Sequence, residues 1–247
     1  MSYSPQAKFR GTFRAVTATI ILIAVVLILP KPAAAQQDYV SRYDLFAGYT
    51  FLDSPHVKLF ENGFHFQVGV RPKTWYSLGF DYSVAGGSLT LTPNLLTPAW
   101  QQQLGGLLTQ LGEAGQLPAG YTVAIPSNSF TQTLAAGPQL SYRHFKKVTL
   151  FVRPSIGAIH ETATPQPGDP IAKIIVGALA PTGNKMDWTG FYGFGGGADF
   201  LLYKHIGLRA QADLVYNHLF SDILQDGRMT TRFSIGPCFN VGRNIKK

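Results

Sequence analysis

The sequence holds a single cysteine, Cys238, among 247 residues, so no intrachain disulfide framework can hold the fold together. Scarcity of thiols is compatible with passage through an oxidising compartment. Charge is scarce as well: Asp, Glu, Lys and Arg make up 14% of the chain, against about 25% in ordinary soluble domains. Beyond Gln36 no apolar run approaches the ~18 residues of a transmembrane helix, and the longest, Ile174 to Ala180, falls far short. A helical membrane protein is therefore not supported for that part of the chain. Basic clusters interleaved with aromatics are lacking too. The one dense patch, Arg143-His144-Phe145-Lys146-Lys147, reads as a turn, and nothing in it points to nucleic acid.

What is present begins with an export pattern. Lys8, Arg10 and Arg14 precede the uncharged stretch Ala15 to Leu29, and Pro30-Lys31-Pro32-Ala33-Ala34-Ala35 follows. A basic start, a short apolar middle and a small-residue exit predict a secretory signal over 1–35, cleaved before Gln36. An uncleaved anchor would call for a longer apolar span. The formal charge of +8 falls to +4 on cleavage, because Lys8, Arg10, Arg14 and Lys31 leave and no acidic residue does. The remainder, 36–247, is read as one domain.

In that remainder, period-two alternation dominates. From Tyr76 to Val84 every even-numbered residue is large and apolar or aromatic, whereas the odd ones are small or polar, the pattern of a strand with two opposite faces. Phe64, Phe66, Val68 and Val70 alternate likewise with His65, Gln67, Gly69 and Arg71. Eight such segments are found, at about 43–52, 63–72, 75–84, 131–144, 148–160, 189–203, 206–217 and 229–240. An even number suits closure with antiparallel neighbours, and about 10 residues tilted by about 45° cover roughly 23 Å, close to the apolar band of a membrane barrel. The connections alternate: 73–74, 145–147 and 204–205 are tight, while 53–62, 85–130, 161–188 and 218–228 are long. Short periplasmic turns and long outer loops alternate in this way in bacterial barrels.

The two faces differ in charge. One carries Leu45, Ala47, Tyr49, Leu78, Phe80, Tyr82, Leu150, Val152, Ile156, Leu208, Leu214, Tyr216, Phe233, Ile235 and Phe239. The other carries Asp44, Asp81, Asp199 and Asp213 with Arg71, Arg143, Arg153, Arg209 and Arg232. One Arg or Lys facing lipid at mid-bilayer costs about 2–4 kcal/mol. The charged face is accordingly predicted to point inward as a paired network, with Gly193, Gly195 and Gly197 leaving room. A soluble carrier barrel would reverse the faces and satisfies the alternation equally well. The export pattern, the uneven connections and aromatics beside the tight turns (Trp75, Tyr76, Tyr142, Phe145 and Tyr203) favour lipid outside. The expected fold is thus all-β, an eight-stranded antiparallel up-and-down transmembrane barrel.

The segments Tyr43-Asp44-Leu45-Phe46-Ala47-Gly48-Tyr49-Thr50-Phe51, Tyr76 to Val84 and Arg232-Phe233-Ser234-Ile235-Gly236-Pro237-Cys238-Phe239 resemble strands of the outer membrane protein A family and its small-barrel relatives. The resemblance covers nearly all of 36–247. It implies the bacterial outer membrane, with outer-membrane lipid including lipopolysaccharide and the assembly machinery as partners. Such barrels usually end on an aromatic residue, whereas here Asn240 to Lys247 follow Phe239, and no peptidoglycan-binding domain is expected after the barrel.

Some barrels resembling this one modify lipid A, so the histidines were tested as catalytic groups. His160 and Glu161 lie at the outer end of the fifth segment with Ser155 below, but a nucleophile and its base must approach within about 2.6–3.2 Å. A polar strand end explains them more simply. His144 and His205 fall at tight turns, His65 on the charged face, and no pair has zinc-ligand spacing. Gly195-Gly196-Gly197 lacks the Lys-Ser/Thr of a phosphate loop. No catalytic residue, metal or cofactor is assigned. Within 85–130, Trp100, Leu104, Leu107, Leu108 and Leu111 recur at helical spacing after Pro98, predicting a helix over Thr97 to Leu111, weakened by Gly105 and Gly106. The expected role is structural or surface interaction through the outer loops, with a lipid-modifying enzyme or a narrow pore as alternatives.

Overall fold

The computed structural model describes residue 37, residues 39–225 and residues 227–245. The predicted signal segment lies outside these residues. Eight strands form one closed sheet: β1 (Ser41–Ser54), β2 (Leu59–Lys73), β3 (Tyr76–Leu91), β4 (Ile125–Tyr142), β5 (Val148–Pro165), β6 (Lys185–Leu201), β7 (Ile206–Asn217) and β8 (Arg228–Asn244). Each pairs antiparallel with the next, and β8 returns to β1 with Leu45 opposite Phe239 and Phe51 opposite Phe233. The up-and-down barrel read from alternation is the one found.

Period-two burial follows the sequence. Along β2, the exposed Phe64, Phe66, Val68 and Val70 alternate with the buried His65, Gln67 and Arg71. Ile156, Tyr192 and Phe194 remain 70%, 62% and 57% exposed on the outside. Charge is buried inside, where Arg71, Arg153 and Arg209 are among the largest fully enclosed side chains.

The strands run further than their apolar signature. At the long-loop end, β2, β3, β4 and β5 continue past the predicted segments with small and polar outward residues such as Gly86, Ser88, Asn128, Thr162 and Thr164. These residues carry no apolar alternation, and although Phe60 and Phe130 also face outward in the ends of β2 and β4, it is pairing in the closed sheet that marks the ends as strand. The expected loop 53–62 consequently contracts to a tight turn at 55–58, with Lys58 at a left-handed φ of 54°.

The other long connections fold over the mouth. Helix α1 (Pro98–Glu113) confirms the amphipathic helix read from Trp100 and its leucines, and extends it slightly. Pro98 opens it, at the first-turn position where its missing N–H is not needed. A second helix, α2 (Pro170–Leu179), was not expected. Asp169 caps it, its carboxylate accepting from the Ala172 N–H at 2.8 Å, and the Tyr121 hydroxyl donates to the same carboxylate at 3.0 Å. Leu96, Leu104, Leu111, Ile171, Ile175 and Leu179 pack with Val57, Leu59, Ile125, Leu219, Ile223 and Leu224 into one apolar cluster. Burying each such side chain contributes roughly 1.5–3 kcal/mol. The barrel is therefore polar in its lumen and capped by a hydrophobic core made of its loops.

Gly105 and Gly106 lie within α1, and a methyl group at either would meet nothing within 4 Å. Alanine at both positions should stabilise the helix by about 1 kcal/mol each. Hydrogen exchange over 98–113 is expected to slow while the barrel strands exchange unchanged.

Candidate functional site

The lumen is built from residues that alternation places inward, and cross-strand register decides which of them meet. Two clusters result. Nearer the short turns, the Arg209 guanidinium lies between carboxylates: Nε is 2.6 Å from Asp199 Oδ1 and Nη2 is 3.1 Å from Asp44 Oδ2. Nη1 donates to Gln67 Oε1 at 2.7 Å, and the rings of Phe46 and Phe151 sit 5.6 and 4.9 Å from the guanidinium carbon. Arg71 reaches the same Asp44 at 3.4 Å and donates to Ser41 Oγ and Asn240 Oδ1. Nearer the long loops, Asp81 is bound by Arg153 and lies 3.4 Å from Arg232, whose Nη2 is 2.9 Å from Asp213. His65 lies beside this cluster, 3.0 Å from Ser234 Oγ and 3.6 Å from Asp81. Gln211 donates to Asp213 Oδ2 at 3.1 Å. Buried ions hold only where partners of opposite charge and further hydrogen bonds compensate their lost hydration, and these clusters supply both.

Glycine makes this pairing possible at two points. A methyl on Gly69 would lie 2.0 Å from Asp44 Oδ1, and one on Gly195 would lie 1.8 Å from Asp213 Oδ1. Each carboxylate occupies the space opposite a residue without a side chain. Of the nine charged residues predicted for the lumen, eight enter ion pairs. Arg143 differs: it stands at the short-turn end and donates instead to neutral groups, the Thr74 carbonyl at 2.9 Å, Gln37 Oε1 at 3.1 Å and Thr149 Oγ1 at 3.0 Å.

A further group lay beyond the sequence reading. Past the alternating segments, where β2, β4 and β5 extend toward the cap, Glu61 and Glu161 are both buried, and Ser129 Oγ stands 2.9 Å from one and 3.0 Å from the other. Thr131 Oγ1 donates to Glu61 at 2.9 Å. The serine hydroxyl has one proton to donate, so satisfying both contacts requires a proton on a carboxyl. Burial, and then the charge of Glu161, push Glu61 up to about 7. Burial raises Glu161 as well. Arg228 opposes both shifts and donates to the Leu219 carbonyl beneath the cap. Glu61, Glu161, Thr131 and Arg228 line a cavity of about 10 Å³, about the space of one water. Glu161 was noticed only as the neighbour of His160; Glu61 and Arg228 sit outside the alternating segments, and no local signal joins them.

His160 faces outward, its ring stacked 4.5 Å from Trp188, whereas Glu161 and Ser155 face inward. The catalytic grouping considered from sequence is thus divided between opposite faces of β5. Among the described residues, no group of three or more His, Cys, Asp and Glu side chains is arranged to hold a metal ion.

Compared by sequence, the chain matches no family model and no curated protein. By structure it is similar to several solved barrel proteins of bacterial surfaces and outer membranes. Neisserial surface protein A aligns at a TM-score of 0.48 and 8% identity, over 81% of this chain and 96% of that one. Ail of Yersinia pestis, in complex with the heparin analogue sucrose octasulfate, aligns at 0.43 and 13%, over 82% and 99%. OprG from Pseudomonas aeruginosa aligns at 0.44 and 8%, over 84% and 99%.

Two outcomes follow from the geometry. Gly195→Ala should cost about 1–3 kcal/mol through overpacking against Asp213, measured by urea unfolding, while Gly190→Ala, whose methyl would meet only a carbonyl at 3.8 Å, should be close to neutral. For Glu61, a carboxyl at 4.5 in the unfolded chain and about 7 in the folded one means that the folded state holds more protons between those values. Stability should therefore fall as pH rises from 4.5 to about 7 and level off above. Glu61→Gln should flatten that part of the profile in thermal unfolding.

Proposed function

We propose that this chain is a bacterial outer-membrane barrel with a non-enzymatic role, presenting a folded cap at the cell surface and contributing to the integrity of the envelope. The observation that carries this reading is the opposition of faces: an exposed apolar exterior without Asp, Glu, Lys or Arg across the spanning segments, around a lumen of buried ion pairs. Hydrocarbon tolerates the first face and would reject the second. Tyr49 and Tyr82 support the assignment, since their hydroxyls turn toward the long-loop end and bond Asn62 and Gln132, as aromatics do at a headgroup boundary. In this reading both termini are periplasmic, outer-membrane lipid including lipopolysaccharide surrounds the belt, and the envelope's assembly machinery inserts the barrel.

The filled lumen and the apolar cap above it favour a structural or recognition role over conduction. The cap offers a compact surface rather than free loops, with exposed polar positions such as Gln102, Gln103 and Glu113 carried on a packed helix.

Phe80→Arg at the middle of β3 discriminates lipid from water outside the barrel. On a lipid-facing strand it should cost about 2–4 kcal/mol in refolding into phospholipid vesicles, whereas on a water-facing strand it would change stability by no more than about 0.5 kcal/mol. A near-zero cost would refute the membrane reading. Planar bilayers containing the wild-type chain should show no sustained open-channel current.

A further inference from the structure

Among the described residues at the short-turn end, the exposed charge is of one sign. Arg42 and Arg243 flank the β1–β8 seam, Lys73 ends β2, Lys146 and Lys147 form the β4–β5 turn, and Lys204 lies in the β6–β7 turn. Among the described residues, no exposed Asp or Glu lies at this end; Asp44 and Asp199 are buried in the lumen and paired with Arg209. The bases thus occupy every junction around the circumference. Aromatics interleave with them, Lys73 lying 5.7 Å above Trp75 and Lys204 4.9 Å above Tyr39.

Between the β2–β3 and β4–β5 turns the collar contains a cleft of about 290 Å³, lined by Trp75, Tyr142, His144 and Arg143 together with Thr74 and Gln37. Its walls combine aromatic rings with a guanidinium. Arg143 Nε and Nη1 are occupied, but Nη2 is buried and has no hydrogen-bond partner among the described residues. A guanidinium with an unused N–H suits a phosphate oxygen, which accepts charge-assisted hydrogen bonds readily.

We infer that this collar binds the anionic headgroups of phospholipids in the inner leaflet, with the cleft at Arg143 as the preferred seat for one phosphodiester. The inference rests on the membrane reading, which places this end at the periplasmic headgroup layer. Distribution around the whole ring fits a surrounding lipid layer better than a compact protein partner, which would engage one side. The Trp75 and Tyr142 rings meet the glycerol region while the bases meet phosphate, the division of labour that amphipathic side chains perform at an interface.

The test uses the chain refolded into nanodiscs that mix phosphatidylcholine and phosphatidylglycerol in equal amounts, then released into mild detergent for native mass spectrometry. Phosphatidylglycerol should be retained over phosphatidylcholine by at least about threefold, with the preference shrinking at high salt. Lys73→Gln/Lys146→Gln/Lys147→Gln should bring retention close to parity, and Arg143→Gln should remove the most tightly held lipid. The three lysines are exposed, so their variant keeps the test decisive even where Arg143→Gln fails to fold. Equal retention of both lipids by the wild-type chain, or an unchanged preference in the lysine variant, would overturn the inference. Displacement of the lipid by inorganic phosphate would overturn it too, assigning the cleft to a free anion. Insertion into discs of pure phosphatidylcholine separates the two readings: a chain that inserts there without preferring phosphatidylglycerol in the mixture remains a membrane barrel without a lipid-binding collar, and one that inserts in neither disc contradicts both.

Discussion

The structure depends on the compensation of ions that cannot reach water. Arg209 is fully enclosed, yet two carboxylates, a glutamine oxygen and two aromatic rings surround its guanidinium. Removing one partner of such a group leaves an uncompensated charge at a cost of about 3–5 kcal/mol. An apolar exterior requires that the charges be inside, and a narrow lumen then requires that they fit together. Gly69 and Gly195 provide the space, and Asp44 and Asp213 use it.

Above those layers the chemistry reverses. The cap is an apolar core assembled from connections far apart in sequence: Leu96 pairs with Leu224 across 128 residues, and the Thr97 N–H donates to the Ile223 carbonyl at 2.8 Å. The Trp100 indole likewise donates to the Asp222 carbonyl at 3.0 Å. Glu61 and Glu161 lie where the two regimes meet. Their shared serine and their neighbour Arg228 make that boundary sensitive to protons.

Much of this was legible in the residues. Alternation such as that from Phe64 to Arg71 identifies a strand and separates its two faces, since successive side chains point to opposite sides, and the cost of charge against lipid turns the nine charged residues inward. Pairing among them was not legible, because Arg209 meets Asp44 across 165 residues and only register brings them together. Arg143 reads like the other eight but stands at the rim, where its partners are neutral. Helix α1 announced itself through leucine spacing. Helix α2 did not: Ile171, Ile174, Ile175 and Val176 are β-branched and crowded, and so resemble a buried strand as closely as a helix until packing decides. The outer ends of β3 and β5 were silent for the opposite reason: Gly86, Ser88, Thr162 and Thr164 give too little apolar contrast to register.

The notch at Gly69 has a consequence for how the barrel comes to close. Side chains on one face recur every second residue, so a slip of two between β1 and β2 would preserve every inside and outside assignment and escape any penalty from lipid. It would, however, bring Asp44 opposite Gln67 or Arg71 in place of Gly69, where a side chain already fills the space. Between β6 and β7 the run Gly193, Gly195 and Gly197 offers Asp213 a vacant site at each such slip, so alignment there falls to the Asp199–Arg209 pair. Shear in this barrel is thus set by shape on one side of the wall and by charge on the other.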